Sequence, residues 1–113
     1  MHELSLAENI LQQIEDAAIE QPFHQVKTVW LEIGQLACVE QESLRFFFAV
    51  VTEDSIARQA KLEIIDIAGQ AVCNDCHRAI LVAALHQACL HCGSHALQIT
   101  QGDEMRIREL EVE

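Results

Sequence analysis

Basic residues are scarce in this chain. Its 113 residues include 7 lysines and arginines against 18 aspartates and glutamates, a formal net charge of −11. The cations (Lys27, Arg45, Arg58, Lys61, Arg78, Arg106 and Arg108) are scattered and form no stripe. Nucleic-acid binding depends on such groups neutralising phosphates, so the balance argues against a nucleic-acid partner and equally against an anionic membrane surface. A metal cation or a basic protein patch is compatible with it. Long apolar runs are also missing. The longest, such as Ala79 to Leu85, fall far short of the roughly 20 residues that cross a bilayer. The start, MHELSLAENI, has neither a basic n-region nor a long apolar h-region, so no signal peptide is expected and the reading is cytoplasmic. No His-Glu-x-x-His, phosphate-cradling glycine loop or nucleophile–base pairing is present, so no catalytic turnover is expected. There is no internal repeat and no low-complexity segment.

What the chain does have is a paired cysteine motif. Cys73 to Cys92 reads CNDCHRAILVAALHQACLHC, two Cys-x-x-Cys pairs (Cys73/Cys76 and Cys89/Cys92) with twelve residues between them. Four thiolates on two tight turns can close a tetrahedron around Zn²⁺, and a closed four-cysteine shell leaves no position for substrate, so the site reads as structural. Two alternatives stand beside it: four small buried hydrophobes, or a redox pair of disulfides. Neither requires the paired spacing, and a reducing compartment favours the metal. The fifth cysteine, Cys38, reads as a buried small apolar residue.

Around this stretch the pattern predicts an α+β fold. Ser5-Leu6-Ala7-Glu8 fits a capping box. Leu6, Ile10, Ile14, Ala17 and Ala18 follow at helical spacing, up to about Glu20 before Pro22. His24 to Ile33 predicts a strand covered on both faces. Leu44, Phe47, Phe48 and Val51 mark a second helix within Glu40 to Glu53, with Ser43 as its N-cap. Lys61 to Ile67, Ala96 to Thr100 and Met105 to Val112 predict further strands, the last with a phase change between Ile107 and Leu110.

Two modules follow: a small mixed-sheet α/β domain with two helices over residues 1–70, and a zinc-ribbon-like four-cysteine domain over 71–102. Some thirty residues cannot bury a competent core alone, so the metal has to hold the second module. The last strand, 103–113, is expected to rejoin the first.

Met1-His2-Glu3 attracts no attention by spacing; a single histidine near a terminus is ordinarily solvated. Its chemistry is another matter. The α-amine of Met1, the His2 amide nitrogen and the His2 imidazole can reach one metal through small chelate rings, and the Glu3 amide is close by. Nitrogen donors in a plane suit Ni²⁺ or Cu²⁺.

The MHELSL start, VWLEIGQL, ACVEQESLRF, the two cysteine pairs and the tail ITQGDEMRIRELEVE together resemble the HypA/HybF family, the nickel metallochaperones of [NiFe]-hydrogenase maturation. The resemblance covers essentially the whole chain. It implies a nickel-binding domain carrying the N-terminal motif and a separate zinc domain. It implies His2 as the essential nickel ligand, Glu3 in support through its backbone nitrogen or side chain, and Glu40 at a position where relatives place a carboxylate near nickel. Cys73, Cys76, Cys89 and Cys92 match the zinc ligands. Many relatives carry proline inside the second pair, where this chain has Leu90-His91, which leaves that turn with less backbone restraint. The implied partners are the maturation GTPase HypB, the hydrogenase large-subunit precursor and, in some organisms, the urease maturation proteins, with the chain a monomer or weak dimer.

His77, His91 and His95 crowd the cysteine pairs. They read as solvated loop residues or hydrogen-bonding groups near the thiolates, with exchange for a cysteine ligand as the alternative. His24 and His86 read as ordinary strand and loop residues. The competing function is a zinc-ribbon adaptor that recognises a protein partner without carrying nickel.

Overall fold

The computed structural model describes residues 2–113. In chain order the elements are α1 (Glu3–Glu20), β1 (Val26–Gly34), a 3-10 turn (Gln35–Ala37), α2 (Gln41–Val51), β2 (Lys61–Ile67), β3 (Gln70–Cys73), β4 (Ala79–Leu81), β5 (Leu97–Gln101) and β6 (Met105–Val112). The strands form two three-stranded sheets, in the orders β2-β1-β6 and β4-β3-β5. The fold class is α+β. The chain divides into two compact units, one of Met1–Leu31, Val39–Glu63 and Ile107–Glu113, the other of Glu32–Cys38 and Ile64–Arg106.

In the first unit the core is aliphatic. Ala7, Ile10 and Ile14 line the buried face of α1, and Leu44 and Phe48 that of α2. Val26, Val29 and Leu31 of β1 are fully buried with them. Thr52 closes α2: its amide and its hydroxyl both donate to the Phe48 carbonyl, so the one buried polar side chain at this helix end has its partner. Helix α1 ends at Glu20, ahead of Pro22.

Both helices start elsewhere than their local signals predict. Helix α1 begins at Glu3, with His2 as an extended N-cap (φ −72°, ψ 137°) whose carbonyl accepts the Leu6 amide. Ser5 therefore lies inside the first turn. The extra turn carries Glu3 to the positive end of the helix, where a carboxylate is favoured, and its side chain accepts the Glu40 amide (3.5 Å). A tertiary contact thus outweighs a local capping box. Helix α2 is capped by Glu40, not by Ser43. The Glu40 carboxylate curls back to accept the amides of Glu42 (3.2 Å) and Ser43 (2.8 Å), so Ser43 receives the cap and does not supply it.

The second unit packs Leu36, Ala71, Cys73, Ile80, Val82 and Cys89 into its own small core, with Cys76, Leu97 and Ile99 partly buried against it. Strand β3 is central. It pairs antiparallel with β4 (Ala71 opposite Ile80) and with β5, where the register shifts between Gln70 and Ala71. Backbone passes against backbone beside this core. A Cβ added to Gly34 would stand 2.0 Å from the Gly102 carbonyl oxygen, and one added to Gly102, itself at φ +94°, 2.6 Å from the Gly69 Cα. No side chain fits at either place. Cys38 is exposed and left-handed (φ 56°), contrary to the expectation of a buried residue. It follows the 3-10 turn as its C-cap, a position set by backbone geometry and not by packing.

Candidate metal centre

The two cysteine pairs fold into the same local structure. In the first, the Cys73 amide donates to the Arg78 carbonyl and the His77 amide to the Cys73 carbonyl (2.9 and 2.8 Å). In the second, the Cys89 amide donates to Ser94 and the Gly93 amide to Cys89 (2.7 and 2.9 Å). The fourth residue after each leading cysteine is left-handed: His77 at φ 62° and Gly93 at φ 76°. Each leading sulfur also accepts an amide from within its own turn, Cys76 to Cys73 Sγ at 3.5 Å and His91 to Cys89 Sγ at 3.4 Å.

These turns bring the four sulfurs together. Cys73 Sγ lies 3.6 Å from Cys92 Sγ, and Cys76 Sγ 3.7 Å from Cys89 Sγ, so both short contacts run from one turn to the other. All four ligand atoms lie within 4.8 Å of one another. Zinc–sulfur bonds of about 2.3 Å in a tetrahedron put sulfurs about 3.8 Å apart. A disulfide needs about 2.05 Å, and all five cysteines are free thiols. The donor set and spacing therefore fit a tetrahedral four-thiolate metal site and suit zinc.

Electrostatics point the same way. Amides of Cys92 and His91 draw the Cys89 thiol down to about 7, and the Cys76 amide lowers Cys73. Cys92 moves oppositely. The Ser94 amide pulls it down, but desolvation and the other three thiols outweigh that and push it up to about 12. At Cys76 the Arg78 amide likewise pulls down, and desolvation with the neighbouring Cys89 and Cys73 sulfurs raises the thiol on balance. Four sulfurs this close resist sharing four negative charges, and a dication removes the conflict.

Contacts besides the sulfurs join the two turns. The Ser94 hydroxyl donates to the Asp75 carboxylate and accepts the Ala96 amide (3.0 Å). Arg78 Nη1 stands 3.1 Å from His91 Nδ1, which makes that ring nitrogen an acceptor for the guanidinium. His77 and His95 are exposed. Sequence spacing gives no sign of the Asp75–Ser94 or Arg78–His91 pairs, because each joins residues made neighbours only by the closing of the turns.

At the other end of the chain, His2 is exposed at the start of α1 and Glu3 is its first helical residue. The fold places Glu3 beside Glu40, 37 positions away, through the Glu40 amide. The Glu40 carboxyl is held below its ordinary range by hydrogen bonds from Ser43, which fits its work as a helix cap. The Met1 amine lies outside the described residues.

The family model for hydrogenase/urease nickel incorporation, metallochaperone HypA, matches residues 1–112. The hydrogenase maturation factors HypA of Azotobacter vinelandii and Azotobacter chroococcum mcd 1 are 51% and 53% identical over 113 residues, covering all of this chain and all of theirs. The solution structure of the Ni metallochaperone HypA from Helicobacter pylori superposes with a TM-score of 0.76 at 29% identity, over 99% of this chain and 97% of that one. With a full-length family match, full-length relatives at about half identity and the four-cysteine cluster in place, the chain belongs to the HypA family of metallochaperones, which are not enzymes.

Proposed function

We propose that this protein binds Ni²⁺ as cargo at its Met1-His2-Glu3 terminus and delivers it during [NiFe]-hydrogenase maturation, while a Zn²⁺ bound by the four paired cysteines holds the module of residues 71–102. The nickel module is residues 1–70 with 103–113 rejoining it. One observation carries the reading: His2 is the exposed N-cap of α1. The first amides of a helix have no acceptor within it, so the nitrogen of Glu3 can turn to a metal with no helical hydrogen bond lost. The His2 amide precedes the helix and the His2 imidazole is in solvent. The Met1 amine completes a set of nitrogen donors of the kind Ni²⁺ prefers.

Release belongs to the same design. A cargo site built from one chain end, open to solvent, lets an acceptor's ligands displace the protein's donors one at a time. Glu3 and Glu40 support the site differently. The Glu3 side chain ties the start of α1 to the start of α2, and the Glu40 carboxylate, already holding the amides of Glu42 and Ser43, stands as a nearby negative charge. The partners in this reading are the GTPase HypB and the hydrogenase large-subunit precursor, with urease maturation proteins in some organisms, all in the cytoplasm. Among the described residues no helix is long and apolar enough to cross a membrane.

Nickel titration of the zinc-loaded protein tests the reading. His2→Ala should weaken nickel binding at least about a hundredfold, in line with the loss of an anchoring ligand, and leave zinc content unchanged. Equal affinities would remove the chaperone assignment in favour of a zinc-ribbon adaptor. A tag ahead of Met1 should act in the same direction, since it abolishes the free amine.

A further inference from the structure

The second unit carries an exposed strand edge that its own side chain holds closed. Strand β4 is an outer strand of the sheet β4-β3-β5. Its partners on β3 are Gln70, Ala71 and Val72, opposite Leu81, Ile80 and Ala79. The flanking hydrogen bonds, Val82 amide to Gly69 carbonyl and Cys73 amide to Arg78 carbonyl, fix the alternation. Ile80 thus bonds toward β3, and the amides and carbonyls of Ala79 and Leu81 point outward.

Gln87 returns to this edge through the turn at Ala84. Its Oε1 accepts the Ala83 amide at 2.9 Å, and its Nε2 donates to the Leu81 carbonyl at 3.4 Å. A side-chain amide that donates to the carbonyl of one residue and accepts the amide two residues on does what a single residue of a parallel neighbouring strand does with its own N–H and C=O. Gln87 therefore occupies one position of a missing strand. Beside it lies a groove of about 390 Å³ lined by Leu81, Val82, Ala83 and Leu90, with Gln35, Ala68, Gly69 and Gln87 itself. Leu81 and Leu90 are 65% and 73% exposed at its rim. Ala79 to Leu90 contains no charged residue, in a chain of net charge −11.

We propose that this edge and groove receive an extended, uncharged apolar segment of a partner protein by strand addition, with the Gln87 side chain displaced by the incoming backbone. A second copy of this chain is a poor occupant. Two three-residue strands and a few leucines fall well short of the about 800 Å² per partner that a standard interface buries. A longer strand can pair along β4, continue past Ala83 where Gln87 now sits, and place alternate side chains in the groove. The stretch from Ala79 to Leu90 offers no charged side chain to pair with, so it suits an uncharged segment, which forfeits no charge hydration there.

The test uses the full-length, zinc-loaded protein and a capped seven-residue peptide of alternating Val and Thr. A copy N-methylated at every interior residue, which has no interior amide to donate from either edge, serves as control. The expected result is saturable amide-shift perturbation confined to Ala79–Leu90, absent with the methylated peptide. Gln87→Ala should tighten binding about fivefold, since the peptide no longer has to replace an internal hydrogen bond. Leu81→Lys, at an exposed position, should abolish binding with zinc content unchanged. No saturable shift in either wild type or Gln87→Ala, equal binding of the methylated peptide, or concentration-dependent self-pairing at β4 without peptide would each overturn the proposal.

Discussion

The four-cysteine centre and the proposed N-terminal nickel site of this protein are built to opposite rules. The four-cysteine centre lies between two turns that share the same backbone hydrogen bonds, with leading sulfurs buried and each sulfur within reach of the others. The N-terminal site is one exposed histidine ahead of a helix, with two carboxylates tied into helix starts nearby. A closed shell of four soft anions favours retention, and a few hard or borderline donors at a chain end favour exchange. The comparison teaches that, in the proposed function, retention and delivery are separated: the closed site is the scaffold, and the sparser one carries the cargo.

The sharpest way to break this contrast is to remove zinc. Structural zinc contributes an apparent stabilisation of about 10–16 kcal/mol, comparable to a domain's whole stability. Chelation should therefore abolish amide protection across residues 73–92 while α1 and α2 persist; hydrogen exchange by mass spectrometry checks both. Protection that survives metal removal would make the zinc dispensable to the fold.

The converse damage comes next. Leu44 is fully buried in the first unit. Leu44→Ala should destabilise that unit by about 2–5 kcal/mol in chemical denaturation and leave zinc stoichiometry untouched. Coincident loss of zinc at the same denaturant concentration would show that the two units unfold as one.

Glu40 tests the proposed nickel site through pH. Its carboxyl is held below the ordinary value of 4.5 in the folded protein. A depressed folded value means that the cap's contribution is complete above pH 4.5 and disappears as pH falls through the lowered value. Glu40→Gln should flatten this acid limb of the first unit's stability curve. Nickel affinity measured near neutrality then separates the two roles: a pure cap leaves it unchanged, whereas a supporting carboxylate weakens it.

The smallest expected effect probes the repeated turns. His77 and Gly93 fill equivalent left-handed positions, but only glycine does so without strain. His77→Gly should stabilise the zinc-loaded protein by about 0.5–1 kcal/mol, and Gly93→Ala should destabilise it by about 1 kcal/mol. Thermal melts of the pair suffice. A destabilised His77→Gly would assign the His77 side chain a role that its exposure does not reveal.

Much of this architecture could be read from residue patterns because the signals were local. Lys61 to Ile67 and Met105 to Val112 have strand-like composition, the latter with its apolar phase broken after Ile107, and the cysteine spacing declares a shared ligand. The departures come partly from contacts between distant residues and partly from local choices that residue type does not rank. Glu3 finds the Glu40 amide and lengthens α1; Glu40 turns back on α2 and displaces Ser43 as its cap. Strands β3 and β4 are four and three residues long, too short for periodicity to register, and their pairing depends on the turns at Cys73 and Arg78. Cys38 was misplaced because residue type foretells burial only on average, whereas here the end of a 3-10 turn fixes the position. His2, the candidate cargo ligand, was legible only through its chemistry and through family resemblance, since one histidine has no spacing to read.

The division of the chain also bears on how each unit is closed. The first unit is interrupted after Glu63 and resumes only at Ile107. Until that distant segment pairs, β1 lacks the neighbour that β6 provides. The two cysteine turns, by contrast, lie on one uninterrupted stretch of the second unit. A chain cut just before Met105 would thus keep all four cysteines and both of their turns and leave one edge of β1 open.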